Sequence, residues 1–284
     1  MDEGAPMTNL MQLLIAIVSM VVIAPSSAAL AQEKLSYSGS STIGMSILQA
    51  GALKAYEDKT GKKFERVDMP GSGKGIDALL GDSVAMAGVS RALKPQEQKK
   101  KLVGTVIAYD GIAVFVHAAN PVKSLTREQL KGIFMGRIRN WKDVGGKDLP
   151  IEPNTEIAGE KRATMLEFQD MVMDKEPYGN GFKQIDLPRD QIIETAKNER
   201  AICTVSRGLL SRLTPYMRSK VNVVSVNGVP PTEEGILSGA YIISRPLLIV
   251  TKGKPTGEVK LFIDFLLSQD GQEVVKRNFV RVKS

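Results

Sequence analysis

Apolar runs too short to be helices alternate, along most of this chain, with longer segments whose apolar residues recur at helical spacing. That alternation restricts the fold more than any other feature of the sequence. Val259, Phe262, Ile263, Leu266 and Leu267 fall at i, i+3, i+4, i+7 and i+8, which lines one face of a helix. Ile76, Leu79 and Leu80 do the same on a shorter helix that Gly81 stops. Met165, Phe168 and Val172 mark a third, and Ile47, Leu48, Ala52, Ala55 and Tyr56 a fourth that ends near Gly61. Between them, residues 84–89, 112–116, 221–226 and 247–251 are apolar or β-branched and read as buried strands. Strands alternating with helices predict an α/β architecture with mainly parallel sheets. Residues 174–190, rich in Gly, Pro and charge, read as a long surface connection.

The N-terminal region obeys a different rule. An apolar stretch from Leu10 to Ala24 is followed by Pro25-Ser26-Ser27 and then Ala29-Leu30-Ala31, a small-x-small cleavage site. This is the pattern of a signal peptide cleaved after Ala31. The stretch is short for a spanning helix, which needs about 20 apolar residues. Only Asp2 and Glu3 precede it, with no Lys or Arg, and a start at Met7 would remove both acids. The mature chain is therefore expected outside the inner membrane, in the periplasm. Removing residues 1–31 takes two acids and no bases from a formal +7 and leaves +9, an excess that suits an anionic ligand or partner.

Several classes of function find no apparatus here. One cysteine and one histidine exclude a disulfide framework within the chain and the usual structural zinc patterns. With no Ser/His/Asp spacing there is no visible machinery for nucleophilic hydrolysis, so no catalytic residue, metal or cofactor is expected. Basic residues are not interleaved with aromatics, which make up 5% of the chain, so nucleic acid is not an expected partner. Cys203 reads as a small buried thiol, His117 as a core or edge residue, Trp141 as packing, and Lys99-Lys100-Lys101 as a solvated helix end.

Three places share one design, small or hydroxyl residues immediately before a helix. They are Ser38-Gly39-Ser40-Ser41-Thr42, then Gly71-Ser72-Gly73-Lys74-Gly75 after a strand expected over 64–69, and Gly159-Glu160-Lys161-Arg162-Ala163-Thr164. A helix N-terminus presents unpaired N–H groups and a partial positive charge, so it holds an oxyanion without a full countercharge. Glycine permits close backbone approach, and Ser or Thr hydroxyls add donors. The same residues also serve as plain helix caps. The second string is not a P-loop, because Gly75 follows Lys74 where Ser or Thr is required, and it lacks the third glycine position of a dinucleotide fold.

The order of motifs resembles the phosphate-binding proteins that serve ABC importers, within the two-lobed (type II) periplasmic binding protein superfamily. The strings that carry it are Gly39-Ser40-Ser41-Thr42, Gly71-Ser72-Gly73-Lys74-Gly75-Ile76, Met86-Ala87-Gly88-Val89-Ser90-Arg91 and Tyr109-Asp110-Gly111-Ile112-Ala113-Val114. Leu125-Thr126-Arg127-Glu128-Gln129-Leu130 follows. The most specific stretch, Ile133-Phe134-Met135-Gly136-Arg137-Ile138-Arg139-Asn140-Trp141 with Val144-Gly145-Gly146, comes next. Ser244-Arg245-Pro246-Leu247 and Phe262-Ile263-Asp264-Phe265-Leu266-Leu267-Ser268 with Gly271-Gln272 complete it.

The resemblance implies two lobes, 32–110 with 245–284 and 111–244, each a mixed, mainly parallel sheet flanked by helices, joined by two crossing strands. It implies a monomer that captures phosphate or a related oxyanion between the lobes and delivers it to an ABC permease in the inner membrane. The alternatives are a sensor for a membrane receptor, a binder of another anion, an enzyme acting on phosphate esters, and a cleft that no longer binds. The family's anion contacts map to Ser41, Thr42 and Ser72, with a further contact at Arg91. Phosphate binders often carry Asp at that position to accept the ligand's remaining proton and exclude sulfate. Arg91 cannot accept a hydrogen bond, so Asp110 is the candidate acceptor. In the third loop the family pattern Arg-Glu-x-Gly-Ser-Gly-Thr is matched at Thr164, but Ala163, Arg162 and Lys161 replace Gly, Ser and Gly, and the Arg falls on Ala158. Arg162 and Thr164 are the expected contacts from that loop, Arg162 either as a bidentate grip on the anion or as a residue facing solvent.

Overall fold

A computed structural model describes residues 35–157, 159 and 162–282. The signal peptide expected over 1–31 lies outside the described residues. Strand β1 (Ser36–Gly39) leads into a helical segment that opens as α1 (Ser41–Ile43), continues through Gly44–Ala52 and ends as α2 (Leu53–Thr60). Gly61 closes it with φ 72°, a left-handed C-cap that glycine adopts without steric cost. Next come β2 (Arg66–Asp68), α3 (Ser72–Leu80), β3 (Met86–Val89), α4 (Pro95–Lys99) and the 16-residue β4 (Leu102–His117). The chain continues through β5 (Ser124–Leu125), α5 (Arg127–Phe134), β6 (Glu152–Thr155), α6 (Ala163–Val172), β7 (Lys183–Gln184), α7 (Pro188–Thr195) and β8 (Ala201–Ser206). It ends with α8 (Pro215–Arg218), β9 (Val221–Val226), α9 (Glu233–Leu237), β10 (Ser244–Lys252), α10 (Gly257–Leu267), α11 (Gln269–Val275) and β11 (Val280–Arg281). Among the described residues no helix is long and apolar enough to cross a membrane.

The strands run in the order β2-β1-β3-β10-β4-β8-β6-β7, with β9 and β11 also paired to β4 and β5 to β9. The outer groups β2-β1-β3 and β8-β6-β7 are parallel, as expected where helices connect successive strands. The two central strands β10 and β4 are antiparallel to each other and to their outer neighbours β3 and β8. β4 changes partners partway along: Leu102–Gly111 pairs with β10, whereas Ile112–Val116 pairs with β8. At the change Asp110 lies opposite Arg245 and Gly111 opposite Ser244.

Burial follows the same division. Two apolar clusters draw on residues 35–108 and 247–279, and two on residues 112–243 apart from Val280 and a partly buried Met45. The face expected on α10 is the one buried, with Val259, Phe262, Ile263 and Leu266 inside and Leu261 in solvent. Tyr56 meets Phe262 edge-on, ring centroids 5.1 Å apart, which joins two helices predicted separately. Trp141 is buried and its indole N–H donates to the Arg200 carbonyl at 3.0 Å. His117 ends β4, its Nδ1 accepting from the Ala119 N–H.

Two expectations need correction. The 112–116 run is only the inner half of β4; the outer half, with Gly104, Thr105, Tyr109 and Asp110, lacks the apolar continuity by which strands are found. Residues 174–190 are not one connection, since they hold β7 and the start of α7, whose first residue Pro188 is suited to a helix's first turn.

Candidate functional site

The first two helix N-termini meet because glycines let the backbones touch. A Cβ on Gly39 would lie 2.2 Å from the Gly88 carbonyl oxygen, and one on Gly75 would lie 2.5 Å from the Gly39 Cα. Both contacts are with backbone, so neither can be relieved by a side-chain shift. α3 therefore sits hard against the end of β1, and β1 against β3. Out of this packing comes a cluster of three buried hydroxyls. Ser40 Oγ accepts from the Ile43 N–H as the α1 cap and donates to Ser90 Oγ at 3.1 Å. Ser72, in the first turn of α3, accepts from the Ser90 N–H at 3.2 Å, and its Oγ lies 3.4 Å from Ser90 Oγ. Ser41 is half-buried beside them.

Beyond this cluster is a buried guanidinium. Arg245 of β10 is 1% exposed, and its Nε and Nη2 donate to Asp110 Oδ2 at 3.2 and 3.0 Å. Nη2 also reaches Thr42 Oγ1 at 3.4 Å, which connects the pair to the N-terminus of α1. Ser206, at the end of β8, donates to Asp110 Oδ1 at 2.9 Å. Burial raises the Asp110 carboxyl above its ordinary range, opposed by the attraction of Arg245 and the hydroxyl of Ser206. Arg245 Nη1 is buried and has no partner among the described residues. An unpaired buried cationic N–H is costly, and such groups are ordinarily paired.

The third N-terminus belongs to α6. Arg162 is its N-cap, 8% exposed; Nη2 pairs with Asp186, while Nε and Nη1 are buried without a partner among the described residues. Of the two readings open for Arg162, solvent-facing is therefore the wrong one. Thr164 is buried in the first turn. Glu156, 4% exposed, accepts from the Met165 N–H at 2.9 Å in that same turn. Burial raises its carboxyl, opposed by the Met165 N–H bond and by the positive charges of Arg162 and Arg245.

The expected residues therefore divide. Thr42 and Ser72 stand in hydrogen-bonded clusters at the ends of β1, β3 and β10, and Arg162 and Thr164 occupy the α6 N-terminus. Asp110 stands among them with both oxygens engaged, Oδ1 by the Ser206 hydroxyl and Oδ2 by Arg245. The Arg91 guanidinium grips both carboxylate oxygens of Glu97 at 2.7 and 2.8 Å and also donates to the Ala92 carbonyl. Cys203 is buried in β8 with its thiol pushed up to about 12 by burial, which leaves it inert at neutral pH.

Five residues escaped the reading of the sequence as site groups: Ser40, Ser90, Glu156, Ser206 and Arg245. Arg245 carried a usable signal, a lone charge in the mainly apolar run from Ile242 to Val250. Glu156 carried none, because its relation to Met165 exists only once the β6–α6 loop is folded. A roomier groove of about 820 Å³, lined by Ile133, Ile138, Pro153, Tyr178 and Phe182 among others, shares none of these site residues. Size is therefore a poorer guide here than converging polar groups.

Helix N-termini gathered where two parallel groups of strands meet across a pair of antiparallel ones define a class, the two-lobed α/β binding proteins. Residues 24–270 match the family model described as a PBP superfamily domain. The phosphate-binding protein PstS of Bacillus subtilis is 30% identical over 251 residues, covering 86% of this chain and 79% of that protein. Its namesake in Borreliella burgdorferi is 29% identical over 262 residues, covering 89% and 91%. A solved phosphate ABC transporter substrate-binding protein from Clostridium perfringens, with bound phosphate, is 34% identical with a TM-score of 0.79 and covers 88% of this chain and 100% of that one. The chain belongs to the PBP superfamily, in the family of phosphate-binding substrate-binding proteins of ABC importers.

Proposed function

We propose that this protein captures phosphate, or a closely related oxyanion, and delivers it to an ABC importer. The observation that carries the reading is Arg245 Nη1, buried beside Thr42 and without a partner among the described residues. A tetrahedral anion is the guest that would satisfy it together with the buried Arg162 N–H groups that have no partner among the described residues and the N-terminal turns of α1, α3 and α6. In this reading Ser41, Thr42, Ser72 and Thr164 donate hydroxyl or N–H hydrogen bonds, Arg245 and Arg162 supply charge, and Asp110 fixes Arg245.

The lobes are residues 32–110 with 245–284 and residues 111–244, and closure about β4 and β10 removes water from the anion, which strengthens each of these bonds. The protein works outside the inner membrane, as a monomer, after loss of residues 1–31. It binds without turnover, in keeping with relatives that are named as binding proteins.

Titration calorimetry of residues 32–284 with phosphate tests this. One saturable site is expected, and Ser72→Ala is expected to weaken it about 10-fold or more, because a hydrogen bond to a charged group contributes about 1.5–3 kcal/mol. Absence of binding to phosphate and arsenate alike would overturn the reading.

A further inference from the structure

The two divisions of the chain, joined through β4 and β10, also touch beside α1. Residues 207–212 form a 3-10 turn directly after β8, and Leu209 and Leu213 sit in the apolar cluster that holds Ala113, Phe115 and Val205. Met45, from the other division, packs its side chain against that cluster. Its carbonyl accepts from the Arg212 guanidinium. Beside it the Ser46 carbonyl accepts from Asn278 Nδ2 at 2.7 Å, and the Ser211 hydroxyl donates to Asn278 Oδ1. Gly208 lies so close to Phe279 that a Cβ on it would sit 2.4 Å from the ring. We propose that this contact is a latch for lobe closure: Met45 and the 207–212 turn hold the lobes in the arrangement that shuts the anion site, with Arg212 as the positioning residue. The proposal rests on the two-lobed, phosphate-binding reading above.

Both halves of the latch begin at the site. Met45 lies one turn beyond Thr42, in the helical segment whose start carries Ser40, Ser41 and Thr42. From Gly44 to Ala52 that segment is wound as a π-helix, a form that is rare and frequent at functional sites. On the other side, Ser206 caps the 207–212 turn: its Oγ accepts from the Gly208 N–H at 3.2 Å while donating to Asp110 Oδ1 at 2.9 Å. Asp110 in turn holds Arg245. Thr42, Ser72 and Arg245 from one lobe and Arg162 and Thr164 from the other are each no more than 8% exposed, so the lobes stand here in an arrangement that covers the site.

The consequence is a population shift. A protein whose binding-competent form is only partly populated binds its ligand more weakly by that fraction. Opening the lobes breaks the bond from Arg212 to the Met45 carbonyl and withdraws the Met45 side chain from its apolar seat, so the latch favours the closed form. Loosening it lowers the closed fraction and lets a bound anion leave sooner, while first encounter with the open site is unaffected.

Phosphate association and dissociation rates, with small-angle scattering of the ligand-free protein, test the proposal on residues 32–284. Arg212→Ala is expected to weaken phosphate binding about 5-fold or more, through faster dissociation, and to leave the ligand-free chain more extended than the wild type. Arg212→Lys keeps a donor for the Met45 carbonyl and is expected to recover most of the affinity. Met45→Ala changes no charge, so a matching rise in its dissociation rate separates the latch from a general loss of positive charge. Unchanged affinity in both Arg212→Ala and Met45→Ala would overturn the proposal while leaving phosphate binding intact. Tighter binding would overturn it too, since the contact would then be holding the lobes apart. A wild-type protein that binds no phosphate would remove the underlying functional reading instead; the latch is then judged by scattering, and an Arg212→Ala chain as compact as the wild type would overturn it.

Discussion

The site depends on a side chain that is expensive to bury. Arg245 and Asp110 both have fully buried side chains, and an ion pair so placed is weak evidence for stability, because the desolvation of two charges offsets their attraction. Removing one partner is a different matter, since the other is left charged and unpaired. Asp110→Ala is therefore expected to destabilise the protein by about 3–5 kcal/mol in urea unfolding and to abolish anion binding. An unchanged unfolding midpoint would show that Asp110 does not hold Arg245. At this scale the sequence was informative about which residues matter and much less about what each does. Asp110 and Arg245 both stand in motif strings, yet their pairing needs the register of β4 on β10 to be known. Arg91 likewise occupies a family contact position, and no pattern in the sequence announces that it pairs with Glu97, six residues on.

Among the elements, helix periodicity was the most legible signal. Each of the four helical faces read from spacing is turned to the core, with Leu80, Met165, Ala55 and Leu267 half-buried at their margins, because a 3.6-residue period reports directly which side meets the core. Strands were legible where apolar and β-branched residues predominate, as in β9 and the inner part of β4, and not where a strand carries a site residue or a proline, as in outer β4 and in β6 with Pro153. How helix starts are brought together lies in backbone contacts, which glycine positions only hint at. Gly75 tests that point. A methyl group there would meet the backbone of Gly39 and Ser38 at 2.5 and 2.6 Å. Gly75→Ala is expected to push α3 off β1, cost about 1–3 kcal/mol of stability and weaken phosphate binding at the same time. Normal stability and affinity in that variant would mean that the α1 and α3 termini need not touch.

For the molecule as a whole, the division of the buried apolar residues, the change of partners in β4 between Gly111 and Ile112, and the alignment of Asp110 with Arg245 all fall at the same place in the chain. That coincidence is what makes the proposed hinge and the proposed site a single construction: the strand that would flex between lobes also carries the carboxylate that holds the central guanidinium. The resemblance of ordered motifs gave this architecture more securely than composition did, since the net positive charge suits many anions and the third loop departs from the family pattern. The central claim is that the N-termini of α1, α3 and α6 and the free N–H of Arg245 serve one anion. Crystals grown with arsenate test it most directly, by the position of the anomalous arsenic peak. A single peak within hydrogen-bond reach of Ser72, Thr42, Arg245 and the first turn of α6 is the expected result; a peak in the groove beside Tyr178 and Phe182, or one touching α3 but neither Arg245 nor α6, would contradict it.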